Sequence, residues 1–219
     1  MSSATTKPEE KLIWDEWKRV TRFLESSRIA FDREALLWSS LEVKEKKELS
    51  LVTTEGHSTY SVALQDHLKA LRSHDVLFSL VLGSTYALAE SYGRLKLGLH
   101  DDQDLTGGIE SWGKKLLDAT GHDWSNVLGG LAGIVEVSAV RNAFAHGARS
   151  VNQKMLNRFV AHSLPCPWSL GQELSLTYEG VETYRARIKS FMRFGSNKKR
   201  SLTPQSTKSA RKIRSKGSA

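Results

Sequence analysis

Arg141-Asn142-Ala143-Phe144-Ala145-His146 places a permanent cation, an amide and an imidazole within six residues. Histidine suits proton transfer near neutral pH. Arginine carries a charge it cannot shed and paired donors that match phosphate or carboxylate oxygens. Asparagine can orient an imidazole or donate to an anion. On a helix at about 100° per residue, Asn142 and His146 share one face, while Arg141 lies about 140° from His146. The long arginine can reach round if the helix ends near Gly147. A plainer reading also fits. Cations favour the negative end of a helix dipole and Gly147 is a natural terminator, so the trio would be only a helix terminus.

The element that must position these residues is apolar. Asp123 can cap a helix running from Trp124 to His146. Around its axis, Leu131, Ile134, Val135, Val137, Val140, Phe144 and Ala145 cover most of the circumference. Ala132, Glu136, Ala139 and Ala143 fill a narrow arc of mostly small residues that a second helix could approach closely, from the same chain or from another copy. Such a helix should be buried on nearly all sides. Arg141 falls within the apolar arc, and a buried guanidinium needs a carboxylate, carbonyls or a bound anion.

Helical periodicity recurs along most of the remaining chain. One helix is expected from Pro8 through Leu24, another from Ala30 to Leu41, with the charged stretch Glu42 to Glu48 as a solvated end or connector. Thr53 to Ser58 reads as a loop. Helix signals return from Tyr60 to about Leu97, where Val76 to Leu97 is long and apolar enough to be central and Gly98 ends it. Ile109 to Leu117, Val151 to His162 and Glu179 to Phe194 are further helical pieces, and Glu173 to Tyr178 alternates like one short extended segment.

With these surroundings the six-residue motif resembles the Arg–polar–three residues–His motif of HEPN domains (higher eukaryotes and prokaryotes nucleotide-binding). The outline is similar from Tyr60 to Phe194: an apolar helix bearing a glutamate, Glu90, precedes the motif, and a segment like Gly171 to Leu176 and a closing helix with Val181 and Tyr184 follow it. The resemblance implies a mostly all-α, HEPN-like helical bundle. It also implies a metal-independent endoribonuclease, of toxin or defence type, working as a homodimer whose two motif helices form one cleft. RNA would be the substrate, with an antitoxin or regulatory protein as a further partner. Arg141, Asn142 and His146 would be catalytic, and Glu90 would support them by pairing with Arg141 when no RNA is bound. No cofactor and no metal are implied. Some HEPN toxins carry a tyrosine two residues after the histidine; Ala148 stands there in this chain. A HEPN-like module that binds RNA or nucleotides without cleaving, or a helical adaptor, are the alternatives.

Charge is unevenly placed. The formal net charge is +8, and the stretch Gly195 to Ala219 holds Lys198, Lys199, Arg200, Lys208, Arg211, Lys212, Arg214 and Lys216 with no acidic residue. The rest of the chain is therefore balanced. Hydrophobic residues make up 39%, low enough to imply a segment outside the core. The basic tail is that segment, expected to be disordered and suited to sequence-blind phosphate contacts, or else merely solubilising. The organisation expected is residues 1–7 disordered, 8–58 an N-terminal helical extension, 59–194 the HEPN-like domain and 195–219 the disordered basic tail.

Several chemistries are disfavoured. Cys166 is the single cysteine, so there is neither an intrachain disulfide nor a multi-cysteine zinc site, which fits a reducing cytoplasm. His57, His67, His74, His100, His122 and His162 are scattered, and Asp101, Asp102 and Asp104 lack the pattern of a calcium loop. No apolar run is long enough to span a bilayer, and Met1 to Lys7 is polar, unlike a secretory signal. The six tryptophans sit mostly at core spacing.

Overall fold

A computed structural model describes residues 6–40, 50–55, 58–100 and 103–195. The eight basic tail residues, the connector Glu42 to Glu48 and the expected disordered N-terminus up to Thr5 lie outside them. Seven α-helices and one β-hairpin make up the described chain, in the order α1 (Thr6–Ser40), β1 (Ser50–Glu55), β2 (Ser58–Ala63), α2 (Leu64–Arg72), α3 (Asp75–Leu97), α4 (Ile109–Thr120), α5 (Gly130–Ala145), α6 (Gln153–Ala161) and α7 (Tyr178–Phe194). The fold is a helical bundle. No described helix is long and apolar enough to cross a membrane.

α3 is the central element. It is apolar enough to pack on α1, α4, α5 and α7, and buries Leu77, Phe78, Val81, Leu82, Tyr86, Ala89 and Tyr92. Gly98, in the left-handed region at φ 66°, terminates it. Gly93 lets α4 approach: a Cβ there would lie 2.6 Å from the Trp112 ring. α1 adds Trp17 and Leu24 to the same core. It is one helix where two were expected. No glycine or proline interrupts Leu24 to Ala30, and Arg28 spans the junction toward Glu25 at 3.4 Å and Asp32 at 3.6 Å. Leu12, Phe23 and Leu37, three of the apolar residues that marked its helices, are exposed.

The largest buried polar investment joins α1, α3 and α7. Arg185 is 4% exposed. It donates from Nη1 to Thr85 Oγ1 and from Nη2 to Thr21 Oγ1, both at 2.6 Å, and its guanidinium lies 4.7 Å from the centre of the Trp17 ring. Burial pushes its pKa down, opposed by the more distant Glu182 and Glu25; a guanidinium keeps its proton regardless.

Two sequence expectations are corrected. Thr53 to Glu55 and Ser58, expected in a loop, are strand, and the helix does not begin at Tyr60. β1 and β2 pair antiparallel from Ser50 with Ala63 to Glu55 with Ser58. The runs Leu51 to Thr54 and Thr59 to Val62 are rich in β-branched and aromatic residues, which favours strand over helix. The helix after Asp123 is also split. Asp123 caps only a 3-10 turn, Trp124–Asn126, accepting from Ser125 N at 2.7 Å. Gly129 and Gly130 then take φ of 78° and 58°, which restarts the chain as α5.

α5 lies between two apolar clusters. Ile134, Val137 and Val140 join the main core. Val135, Ala139 and Ala143 face a smaller one with Val151, Met155, Phe159 and Leu174. The extended segment runs beside the α5–α6 connection. Leu174 N donates to Arg149 O at 2.8 Å, and Ser150 bridges Glu173. Its alternation is the expected one, with Leu174 buried in the smaller cluster and Leu176 in the main core.

Gly93→Ala should destabilise the protein by about 1–3 kcal/mol, because the Trp112 ring is buried and packed edge-on to Phe191 and cannot retreat freely. Gly83→Ala on the same helix, where a new Cβ meets nothing within 4 Å, should stabilise by about 0.5–1 kcal/mol. Urea unfolding midpoints at unchanged slope measure both, and equal shifts would show that Gly93 is not a packing position.

Candidate functional site

α5 ends at the motif. His146 is its C-cap, and Gly147 follows with φ 70°. Ala148 N donates to Ala143 O at 2.9 Å and Gly147 N to Phe144 O at 3.2 Å, the double closure of a Schellman end. The helix-terminus features are therefore real. They do not use the motif's side chains, which remain available for other work.

Those side chains occupy a groove between α5 and α6. Arg141 is half-buried at the edge of the apolar arc rather than fully enclosed. Its Nη1 donates to Asn142 Oδ1 at 2.9 Å, and its guanidinium sits 5.0 Å from the centre of the Tyr86 ring. Its Nε is buried without a hydrogen-bond partner. A buried unsatisfied donor costs about 1–3 kcal/mol, and groups left in that state tend to mark sites that do something else. His146 is exposed, and among the described residues its ring makes no hydrogen bond.

Two adjoining cavities share the groove. One, of about 530 Å³, is lined by Arg141, Tyr86, Glu90 and Glu110 among others. The other, of about 130 Å³, is lined by His146, Ala139, Ala143 and Met155. Asn142, Lys154 and Arg158 line both. Arg141 and His146 thus open onto neighbouring compartments, with Asn142 between them.

Glu90 faces the larger cavity but makes no ion pair with Arg141, so the expected resting pair is absent. Arg158 is the arginine that a carboxylate holds. It donates from Nε to Glu110 Oε1 at 2.9 Å and from Nη2 to Oε2, a bidentate fork. Burial alone would raise the Glu110 pKa. The Arg158 fork, a backbone hydrogen bond and the nearby His162 outweigh burial and hold it below the usual carboxylate value. Tyr86 moves the other way. Burial raises its pKa, only partly offset by the hydrogen bond its hydroxyl shares with Ser138 Oγ at 3.1 Å.

The small-residue arc, read as suited to a contact within or between chains, is used within the chain. Ala139 and Ala143 are buried under α6 residues. Among the described residues no three His, Cys, Asp or Glu side chains cluster as a metal site. His74 is instead stacked on Phe31, 6.0 Å between ring centres, and packs edge-on to Phe78. Cys166 lies half-buried against the smaller cluster. Trp17 and Trp112 are in the main core, and Trp14, Trp124 and Trp168 pack against it.

Lys154, Arg158, Glu110 and Tyr86 escaped the sequence reading. A signal existed for the first two. Only six residues separate His146 from Gln153, so the next helix must fold back beside α5, and its polar pair at i and i+4 must face the motif or solvent. Comparison with protein-family profiles, curated proteins and solved structures finds no match to the chain.

The Glu110–Arg158 fork carries a pH signature. A carboxylate whose folded pKa is depressed stabilises the fold above its ordinary pKa, and that contribution is lost as pH falls through the folded value. Glu110→Gln should therefore be less stable than wild type near neutral pH, and the gap should close on acidification. Urea midpoints across the carboxylate range measure it. A gap independent of pH would mean that the charge of Glu110 contributes nothing.

Proposed function

We propose that the chain is a metal-independent endoribonuclease of HEPN type. The observation that carries this reading is the placement of Arg141, Asn142 and His146 along one open groove, with spare arginine donors and a free imidazole. In the reaction the 2′-hydroxyl attacks the adjacent phosphorus, the bond to the 5′-oxygen breaks, and a proton passes from the first oxygen to the second. His146 is the group to take or return that proton. Arg141 stabilises the pentavalent anion, and Asn142, already bonded to Arg141, holds the guanidinium toward the groove. The groove brings three cations, Arg141, Lys154 and Arg158, together with amide and hydroxyl donors, and one of its two carboxylates, Glu110, is held by Arg158, a set suited to phosphate oxygens.

Toxin or defence action, a homodimer and an antitoxin or regulatory partner belong to the same proposal and rest on the resemblance of the motif. Two copies would have to meet away from Ala139 and Ala143, which α6 covers. The basic tail would add sequence-blind affinity for RNA. One observation favours the non-cleaving alternative: nothing fixes the His146 ring, whereas a proton-transfer histidine is usually oriented by a partner.

RNA cleavage in the presence of EDTA separates the two. Wild type should cut single-stranded RNA. His146→Ala should be at least about 100-fold slower, and Arg141→Ala comparably impaired, with circular dichroism melts near wild type. RNA binding without cleavage by wild type would establish the non-cleaving module instead.

A further inference from the structure

Arg141 and His146 open into different cavities, so a phosphodiester handled by both must cross the boundary between them. That boundary is Asn142 from α5 and Lys154 and Arg158 from α6. Lys154 is exposed, and among the described residues its ammonium has no hydrogen-bond or ion-pair partner. Glu110 occupies Nε and Nη2 of Arg158 and leaves Nη1 without a protein acceptor. A guanidinium clamped along one edge has a set orientation and a donor to spare on the other. Glu90 lines the same cavity and repels anions, which confines a phosphate to the side of the groove that α6 forms.

We infer that Lys154 and Arg158 form the phosphate-binding subsite of this groove, with Glu110 as the positioning residue that aims Arg158. The inference rests on reading the groove as a phosphodiester site, and it assigns binding to α6 while the motif on α5 performs the chemistry. The division has a physical basis. Lysine acts as a point charge and tolerates varied phosphate positions along a strand, while the clamped arginine fixes one of them.

The test uses the full chain and a short 2′-O-methyl RNA, which lacks the attacking hydroxyl and reports binding alone by fluorescence anisotropy. The tail is common to every variant and cancels in the comparison. Lys154→Ala should weaken binding about tenfold and reduce the slope of log affinity against log salt by about one, as loss of one phosphate contact requires. Lys154→Arg should restore most of both. Lys154 is exposed, so the melting temperature should not move. Unchanged affinity and slope in Lys154→Ala, with Arg141→Ala weakened, would overturn the subsite and leave the RNA reading standing. If wild type ignores RNA but is thermally stabilised by tripolyphosphate, and Lys154→Ala is not, the anion subsite holds and the RNA reading falls. Failure of both probes on wild type overturns both.

Discussion

α5 has almost no face to give to water. Its apolar residues are spread around the axis, so one core cannot bury them. The chain meets this by building a second, smaller cluster on the far side, from α6 and Leu174 of the extended segment, while α3 and α7 complete the first. The motif residues sit where α5 runs out of apolar cover. Asn142 and Arg141 are half-buried and His146 is exposed, a gradient along the last turn and a half. The groove is a consequence of covering α5 from both sides: α6 must lie beside it, and the polar face of α6 must then line whatever gap remains. The geometry of the candidate site therefore follows from a packing requirement rather than from any feature of the motif itself.

That dependence explains what could be read in advance. Helices with strong period or clear stops, α3 with Gly98 and the amphipathic α7, were legible from the residues alone, though not the Thr177 cap that starts α7 at Tyr178. So was the near-complete burial of α5. The start of α5 was not, because periodicity continues through Val127 and Leu128 while the backbone breaks at Gly129 and Gly130. The hairpin was missed because its polar serines and threonines hide the strand pattern, though their β-branching supports it. Within the site, Arg141, Asn142 and His146 could be singled out by type and spacing. Glu110 could not, since it joins the groove only through tertiary packing, and Lys154 and Arg158 are legible only once α6 is folded back beside α5. Sequence reasoning also assigned the buried guanidinium to Arg141, because it weighed the helix around that residue and not the amphipathic helix that carries Arg185.

The two arginines show why burial alone is a poor guide to function. Arg185 is almost fully enclosed, yet both terminal nitrogens donate to threonine hydroxyls and a tryptophan covers its face. Its charge is spread over neutral acceptors, and it fastens α1 to α3 and α7. Arg141 is less buried but less satisfied. One nitrogen reaches Asn142, the face rests near Tyr86, and Nε has no acceptor. The fold encloses the Arg185 guanidinium among three helices, whereas the guanidiniums of Arg141 and Arg158 line an open cavity that a ligand could enter. Arg158 is intermediate: Glu110 claims one edge and fixes its direction, and the other edge remains for the groove. Access to an open cavity thus separates the arginine that holds the bundle together from the two that line the candidate site. Both border the junction of α5 and α6, where the motif's imidazole is exposed.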